Sequence, residues 1–196
     1  MHIAIIGAGT AGLCAAKHAL VAGCQVTVFE LSQQVGGTWV YSDKIGTDEY
    51  GLEVHTSMYQ GLHTNLPKEM MGFPDFPIPE QSRSYIPQKD MLAFLELYAK
   101  TFNLYEHIRF QHYVVRVRPY DDTKWEIIVR DLPNNKYDTY IFDSIIICNG
   151  RYHTPSIPPY PGRDIYKGKQ IHSHDFRTSE PFKVRKCLWP GRIVWR

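Results

Sequence analysis

Residues 4–12, Ala-Ile-Ile-Gly-Ala-Gly-Thr-Ala-Gly, constrain this chain more than any other stretch. A buried-type apolar strand runs straight into G-x-G-x-x-G, and the alanine-rich apolar run 13–20 that follows suits a helix. Beyond a turn at Gly23, Val26, Thr27, Val28 and Phe29 make a second strand pattern that ends on an acid, Glu30. Gly7 lets the chain turn sharply, Gly9 lets the backbone approach a pyrophosphate, and Gly12 lets the helix pack closely on the strand. With Ala8, Thr10 and Ala11 between them, the helix amino terminus offers unpaired N–H groups and the positive end of its dipole. Glu30 stands about 18 positions past Gly12, near the ~20 expected of a carboxylate that grips ribose hydroxyls. A glycine-rich turn in an ordinary α/β fold explains a lone G-x-G-x-x-G. Strand, helix and timed acid together predict a dinucleotide-binding unit.

The other bulk properties mostly exclude. A 196-residue chain with 43% hydrophobic residues is long and apolar enough for one large domain, or one domain plus a fragment. Its 22 basic and 20 acidic residues leave a net charge of +2, too little to imply nucleic acid or an anionic membrane as partner. Cys14, Cys24, Cys148 and Cys187 show no C-x-x-C or metal-type spacing, and Cys14 and Cys148, in apolar runs, read as buried reduced thiols. The first residues lack a basic n-region and Lys17 interrupts the apolar run, so they read as core and not as a signal peptide. No run approaches the ~20 apolar residues that cross a bilayer. The expectation is a soluble chain, cytoplasmic or associated with the endoplasmic reticulum, with no anchor of its own.

Gly36, Gly37, Thr38 and Trp39 follow Glu30 closely. Alone they read as a turn beside a core tryptophan; next to a ribose-binding acid they suggest a second contact on an extended cofactor. Residues 41–88 lack periodicity, and four prolines between 67 and 79 forbid a long helix or central strand there. Such a long aromatic-rich loop is usually functional. Helical spacing returns at 89–103, with Met91, Leu92, Leu95, Tyr98, Ala99 and Phe102 on one face. Strand patterns at 114–118 and 125–129 flank a turn at Asp121 and Asp122, and 137–142 returns after a turn at 133–135. Residues 143–150 read as a buried strand ending at Gly150, shaped to rejoin a parallel sheet.

These pieces together resemble the flavin-containing monooxygenases, class B flavoproteins that use FAD and NADPH. The glycine fingerprint 7–12 matches that family's FAD site, and Gly36, Gly37 and Trp39 match its GG-x-W element. Thr64 and Asn65, with the run 68–77 (Lys-Glu-Met-Met-Gly-Phe-Pro-Asp-Phe-Pro), match its characteristic loop. Cys148, Asn149 and Gly150, followed by Pro155 and Pro158, resemble its strand-to-linker segment. Tyr166, Gly168, His172 and Phe176 fit the pattern F-x-G-x-x-x-H-x-x-x-[FY] with tyrosine first, and Phe176 favours the heteroatom-oxidising branch over Baeyer–Villiger enzymes.

The resemblance implies an α/β, Rossmann-like FAD-binding domain of three layers, whose parallel sheet carries a small β insertion. That domain spans 1–155, with the Pro-rich loop at 41–88 and the insertion at about 112–142; a linker occupies 156–196. It implies FAD contacts from Gly7, Ala8, Gly9, Thr10, Ala11, Gly12, Glu30, Gly37, Thr38, Trp39, Thr64, Asn65 and Leu66. In that chemistry NADPH reduces FAD, oxygen adds to the flavin as a hydroperoxide, and one oxygen passes to a nucleophilic amine or sulfide. The cofactor performs the difficult steps, so no acid–base pair is needed and none stands out. Asn65 is the expected catalytic residue, its amide reaching the flavin edge and the nicotinamide; a plain Asx turn before Pro67 is the alternative. No metal is expected: His172 and His174 lack a third ligand, and His172 is expected to order the linker. Lys183, Arg185 and Lys186 read as a solvated face.

The pattern breaks near Lys186, where the family's second strand and second glycine fingerprint begin. Residues 187–196 read Cys-Leu-Trp-Pro-Gly-Arg-Ile-Val-Trp-Arg, with Pro190 misplaced for a central strand and one glycine where a phosphate turn needs more. The expectation is that the NADPH domain is missing and that NADPH oxidation is impaired while FAD still binds. If Lys186 is encoded by AAG, a reading frame shifted by one base can spell Val-Leu-Val-Ala-Gly here, so a frame shift or alternative exon is one explanation. A non-enzymatic flavin-binding fragment, self-associating as a homo-oligomer or paired with a full-length form, is the rival from another class. A disulfide reductase is a further rival, but its C-x-x-x-x-C pair is absent from the sequence.

Overall fold

The computed structural model describes residues 1–159 and 161–183. The break in the family pattern at 187–196 therefore lies outside the described residues, as do Cys187, Arg185 and Lys186. The elements are β1 (His2–Ile6), α1 (Thr10–Val21), β2 (Gln25–Phe29), α2 (Gln88–Thr101), β3 (Ile108–Arg109), β4 (His112–Pro119), β5 (Trp125–Asp131), β6 (Lys136–Phe142) and β7 (Ser144–Ile147). The chain forms two compact units: Met1–Val40 with Met91–Gly150, and Tyr41–Asp90 with the chain from Arg151 onward.

The first unit holds a parallel sheet of order β3-β2-β1-β7. Its central register pairs Ile5 with Val28 on one side and with Ile146 on the other. Ile3, Ala4, Ile5, Val26, Val28 and Phe29 are all buried, as expected of strands covered on both faces, whereas β7, expected to be buried, stands last in the strand order and is half-buried at Ser144, Ile145 and Ile146 and exposed at Ile147. Along α1, Gly12, Leu13, Ala16 and Ala19 face inward at helical spacing. The helix ends in a Schellman closure, in which the Gly23 amide donates to the Leu20 carbonyl (2.9 Å) and the Cys24 amide to that of Ala19 (3.0 Å). The α2 face predicted from spacing is shifted: Met91, Phe94, Leu95, Tyr98 and Ala99 are buried, while Leu92 and Phe102 are half-buried. Phe102 packs edge-on to Tyr98 instead, with centroids 4.8 Å apart.

Between β3 and β7 lies an antiparallel sheet, β4-β5-β6, with a bulge between Val114 and Arg116. Ile127, Val129 and Phe142 pack with Ala4 and Phe29, so the small sheet shares its core with the large one. The Asp121 carboxylate closes the first hairpin by accepting from the Thr123 and Lys124 amides (2.7 and 2.8 Å). Cys14, Cys24 and Cys148 are free, as the sequence implies, yet half-buried and not fully buried.

The second unit is mostly irregular chain with short 3-10 turns at Lys68–Met70, Ser173–Asp175 and Glu180–Phe182. Single bridges join Thr47 to Glu53, His63 to Pro87 and Phe73 to Phe76. Val54, Thr56, Met58, Ile78 and Ile86 form its buried side, together with Lys68, His174 and Arg177. Among the described residues no helix is long and apolar enough to cross a membrane, and no three His, Cys, Asp or Glu side chains cluster as a metal site.

Candidate cofactor site

The site begins where β1 ends. Gly7 turns with φ of +101°, and a Cβ there would lie 2.6 Å from the Cys148 carbonyl oxygen at the end of β7. A Cβ on Gly12 would lie 1.8 Å from the Gly7 carbonyl oxygen. Backbone therefore fills both positions, and no side chain fits. Gly9 differs: its backbone is extended, and an added Cβ would come no nearer than 3.5 Å to protein, at Gly37 Cα. The protein itself has room for a side chain at Gly9, so a glycine there leaves space above the turn for a ligand.

Gly9 caps α1 without any side-chain hydrogen bond. The first helical bond runs from the Leu13 amide to the Gly9 carbonyl (3.0 Å). Among the described residues, no acceptor answers the Thr10, Ala11 and Gly12 amides, the usual state of a first turn awaiting solvent or an anion. β1 pairs with β2 on one side and β7 on the other, so this turn sits at the switch point of the sheet, where α/β folds bind ligands.

Glu30 is buried, only 5% exposed. Its Oε2 accepts from the Ala8 amide (2.6 Å), and its Oε1 from the Ser32 amide (2.8 Å) and hydroxyl (2.7 Å). The carboxylate thus holds the glycine turn from below, a role that spacing in sequence does not reveal. A carboxylate offers about four lone-pair sites, so these three donors leave capacity for a ribose hydroxyl. The ends of β3 and β4 bracket the acid: the Glu30 amide donates to the Arg109 carbonyl (2.9 Å), and the His112 amide to the Glu30 carbonyl (2.9 Å).

The second glycine element closes on the first. The Gly36 amide donates to the Ala8 carbonyl (3.0 Å), and a Cβ on Gly37 would lie 3.0 Å from Gly9 Cα. Buried Val35 and Val40 anchor this loop, leaving Thr38 exposed and Trp39 half-buried. Ala8 is consequently the hub, bonded through its amide to Glu30 and through its carbonyl to Gly36. Burial, then the neighbouring Cys14, pushes the Cys148 thiol up, which disfavours its thiolate.

Gly7, Ala8, Gly9, Thr10, Ala11, Gly12, Glu30, Gly37, Thr38 and Trp39 thus lie in the first unit; Thr64, Asn65 and Leu66 lie in the second. Thr64 is buried and paired: its amide donates to the Ile86 carbonyl (2.9 Å), and its hydroxyl accepts from the Ile86 amide (3.2 Å). Asn65 and Leu66 project as exposed residues. Among the described residues the Asn65 amide makes no hydrogen bond, so the Asx turn before Pro67 is absent and the side chain is free for a ligand. His172 accepts locally from the His174 amide (3.0 Å). Two residues escaped notice in the sequence: Ser32, which orients Glu30, and Arg177, buried directly after the motif that ends at Phe176.

The first unit can thus hold a dinucleotide: unpaired helix amides and an open Gly9 suit a diphosphate, and the buried acid suits a ribose. Comparisons with known proteins agree. The family model described as FMO-like, flavin-binding monooxygenase-like, matches residues 1–191. The chain is similar to flavin-containing monooxygenase FMO GS-OX2 of Arabidopsis thaliana, 41% identical across 98% of this chain and 44% of that protein. It is also similar to FMO GS-OX5 of the same plant, 41% identical across 99% of this chain and 45% of that one. Among solved structures, S-allyl-L-cysteine S-oxygenase from Allium sativum superposes with a TM-score of 0.85 at 36% identity, covering 92% of this chain and 43% of that one. The chain spans less than half the length of the relatives it matches.

Proposed function

Because the chain belongs to the flavin-binding monooxygenase-like family, we propose that it binds FAD and serves an NADPH-dependent monooxygenase acting on nucleophilic sulfur or nitrogen of small molecules. The observation that carries this reading is the uncapped start of α1, open above Gly9 and flanked by buried Glu30. In it the Thr10, Ala11 and Gly12 amides bind the diphosphate, Glu30 accepts from the adenosine ribose, and Gly37, Thr38 and Trp39 line the same cofactor. Bound FAD, reduced by NADPH, supplies the oxygen-transferring chemistry with O2 as co-substrate. Asn65 orients the flavin edge and nicotinamide through its free amide, and Thr64 and Leu66 flank it. Residues 1–155 are read as the FAD domain and 156–196 as a linker. The name of the similar Allium protein, an S-oxygenase, favours a sulfide over an amine.

An absorbance spectrum of the purified protein, with and without NADPH under air, tests this. A flavin band that copurifies, or appears on adding FAD, is expected. Colourless protein that ignores added FAD overturns the reading. NADPH-dependent bleaching and reoxidation separate turnover from bare cofactor binding, the behaviour of a non-enzymatic fragment.

A further inference from the structure

Arg177 is 7% exposed, yet among the described residues no carboxylate pairs with it. Its guanidinium spends all five N–H donors on main-chain carbonyls. Nε and one terminal nitrogen donate to Lys44 (3.1 and 3.0 Å), and that same nitrogen donates to Thr56 (2.9 Å). The other terminal nitrogen donates to His174 (2.6 Å) and Phe176 (3.3 Å). Segment 41–60 has almost no ladder of its own, so its buried carbonyls need donors from elsewhere. Arg177 provides them.

The same residue also grips the chain ahead of Asn65 through its own backbone. Its carbonyl accepts from the Gln60 amide (2.7 Å), and Phe176 beside it packs edge-on to Tyr59 at 5.4 Å. Just past this joint the chain is gripped again, by the Gln88 amide on the Leu62 carbonyl (2.9 Å) and by the Thr64–Ile86 pair. The Asn65 turn therefore has two moorings, one of them Arg177.

We propose that Arg177 is a positioning residue: it clamps the 44–60 segment to the end of the 166–176 motif and so fixes the turn that presents Asn65. This rests on the reading of Asn65 as the group facing the flavin. A lysine would keep the charge but offer three donors from one point, and it cannot span four carbonyls laid out for a planar fork.

The test compares the FAD-loaded chain with Arg177→Lys, Asn65→Ala and the double variant. In Arg177→Lys the amides of 58–66 are expected to exchange with deuterium at least about tenfold faster, while those of β1 exchange as before. FAD affinity should stay within about threefold, because the diphosphate contacts are untouched. The visible flavin band should move as in Asn65→Ala, and no further in the double variant. Unchanged exchange at 58–66 overturns the clamp whatever the flavin does. Faster exchange with a wild-type flavin band in Asn65→Ala leaves the clamp standing and removes Asn65 from the flavin edge. Should Arg177→Lys fail to accumulate, Tyr59→Leu loosens the same joint, with the same expectations and the same overturning result.

Discussion

The two units keep their shape by different means. In the first, two hydrogen-bonded sheets and two helices carry the backbone, and apolar side chains such as Ile5, Leu13, Phe29 and Ile127 fill the space between them. In the second, single bridges and 3-10 turns leave some carbonyls to side chains; Arg177 serves four of them. Periodic packing tolerates a lost side chain locally, whereas a clamp concentrates the loss in one residue. The first unit should therefore break at its backbone contacts and the second at its side-chain bonds.

The sharpest contrast comes from glycines. Gly12→Ala forces a Cβ to 1.8 Å from the Gly7 carbonyl oxygen, and this should destabilise the first unit by about 4 kcal/mol or more and abolish flavin retention. Gly46→Ala in the second unit has open space around it and only an unfavourable φ of +76°, so about 1–2 kcal/mol is expected. Thermal melting with flavin absorbance reads both. Equal losses would break the comparison.

Next is Arg177→Met, which strands the Thr56 and His174 carbonyls of two buried bonds and the Lys44 carbonyl of a part-buried one. A loss of about 3 kcal/mol is expected, seen as early proteolysis within 41–66 while β1 and α1 stay protected. Glu30→Gln keeps the fold but places an amide nitrogen against the Ala8 or Ser32 N–H, since both carboxylate oxygens accept there. Flavin fluorescence titration should show FAD binding weakened about ten- to a hundredfold. Asn65→Ala should change stability by less than about 0.5 kcal/mol, because that side chain is exposed and, among the described residues, makes no hydrogen bond.

The smallest effect concerns acid. The His2 amide, then Lys124, hold the Asp143 carboxyl below the usual carboxylate range. A depressed folded-state pKa contributes stability above the unfolded value near 4 and loses it as pH falls through the lower, folded value. Melting temperature should thus fall below about pH 4, and Asp143→Asn should flatten that fall slightly.

Much of the first unit was legible because periodicity records burial on a regular element. The strand runs at 4–6 and 26–29, the helix after Gly9 and the hairpin at Asp121 all follow from local pattern. β3 was not legible: two residues, Ile108 and Arg109, carry no period, and only the neighbouring β2 makes them a strand. Phe94 and Phe102 exchanged places for a similar reason, since which side of α2 is covered depends on what packs there.

The sequence by itself determined the βαβ start, the spacing of Gly7, Gly9 and Gly12, and the family. Each is set by local steric rules or by a pattern short enough to survive without context. Only the tertiary structure decided that Glu30 binds the Ala8 amide, that Gly37 meets Gly9 back to back, and that Arg177 holds the chain before Asn65. Those contacts join residues far apart in the chain, and a hydrogen bond leaves no period in the sequence from which its partner can be read.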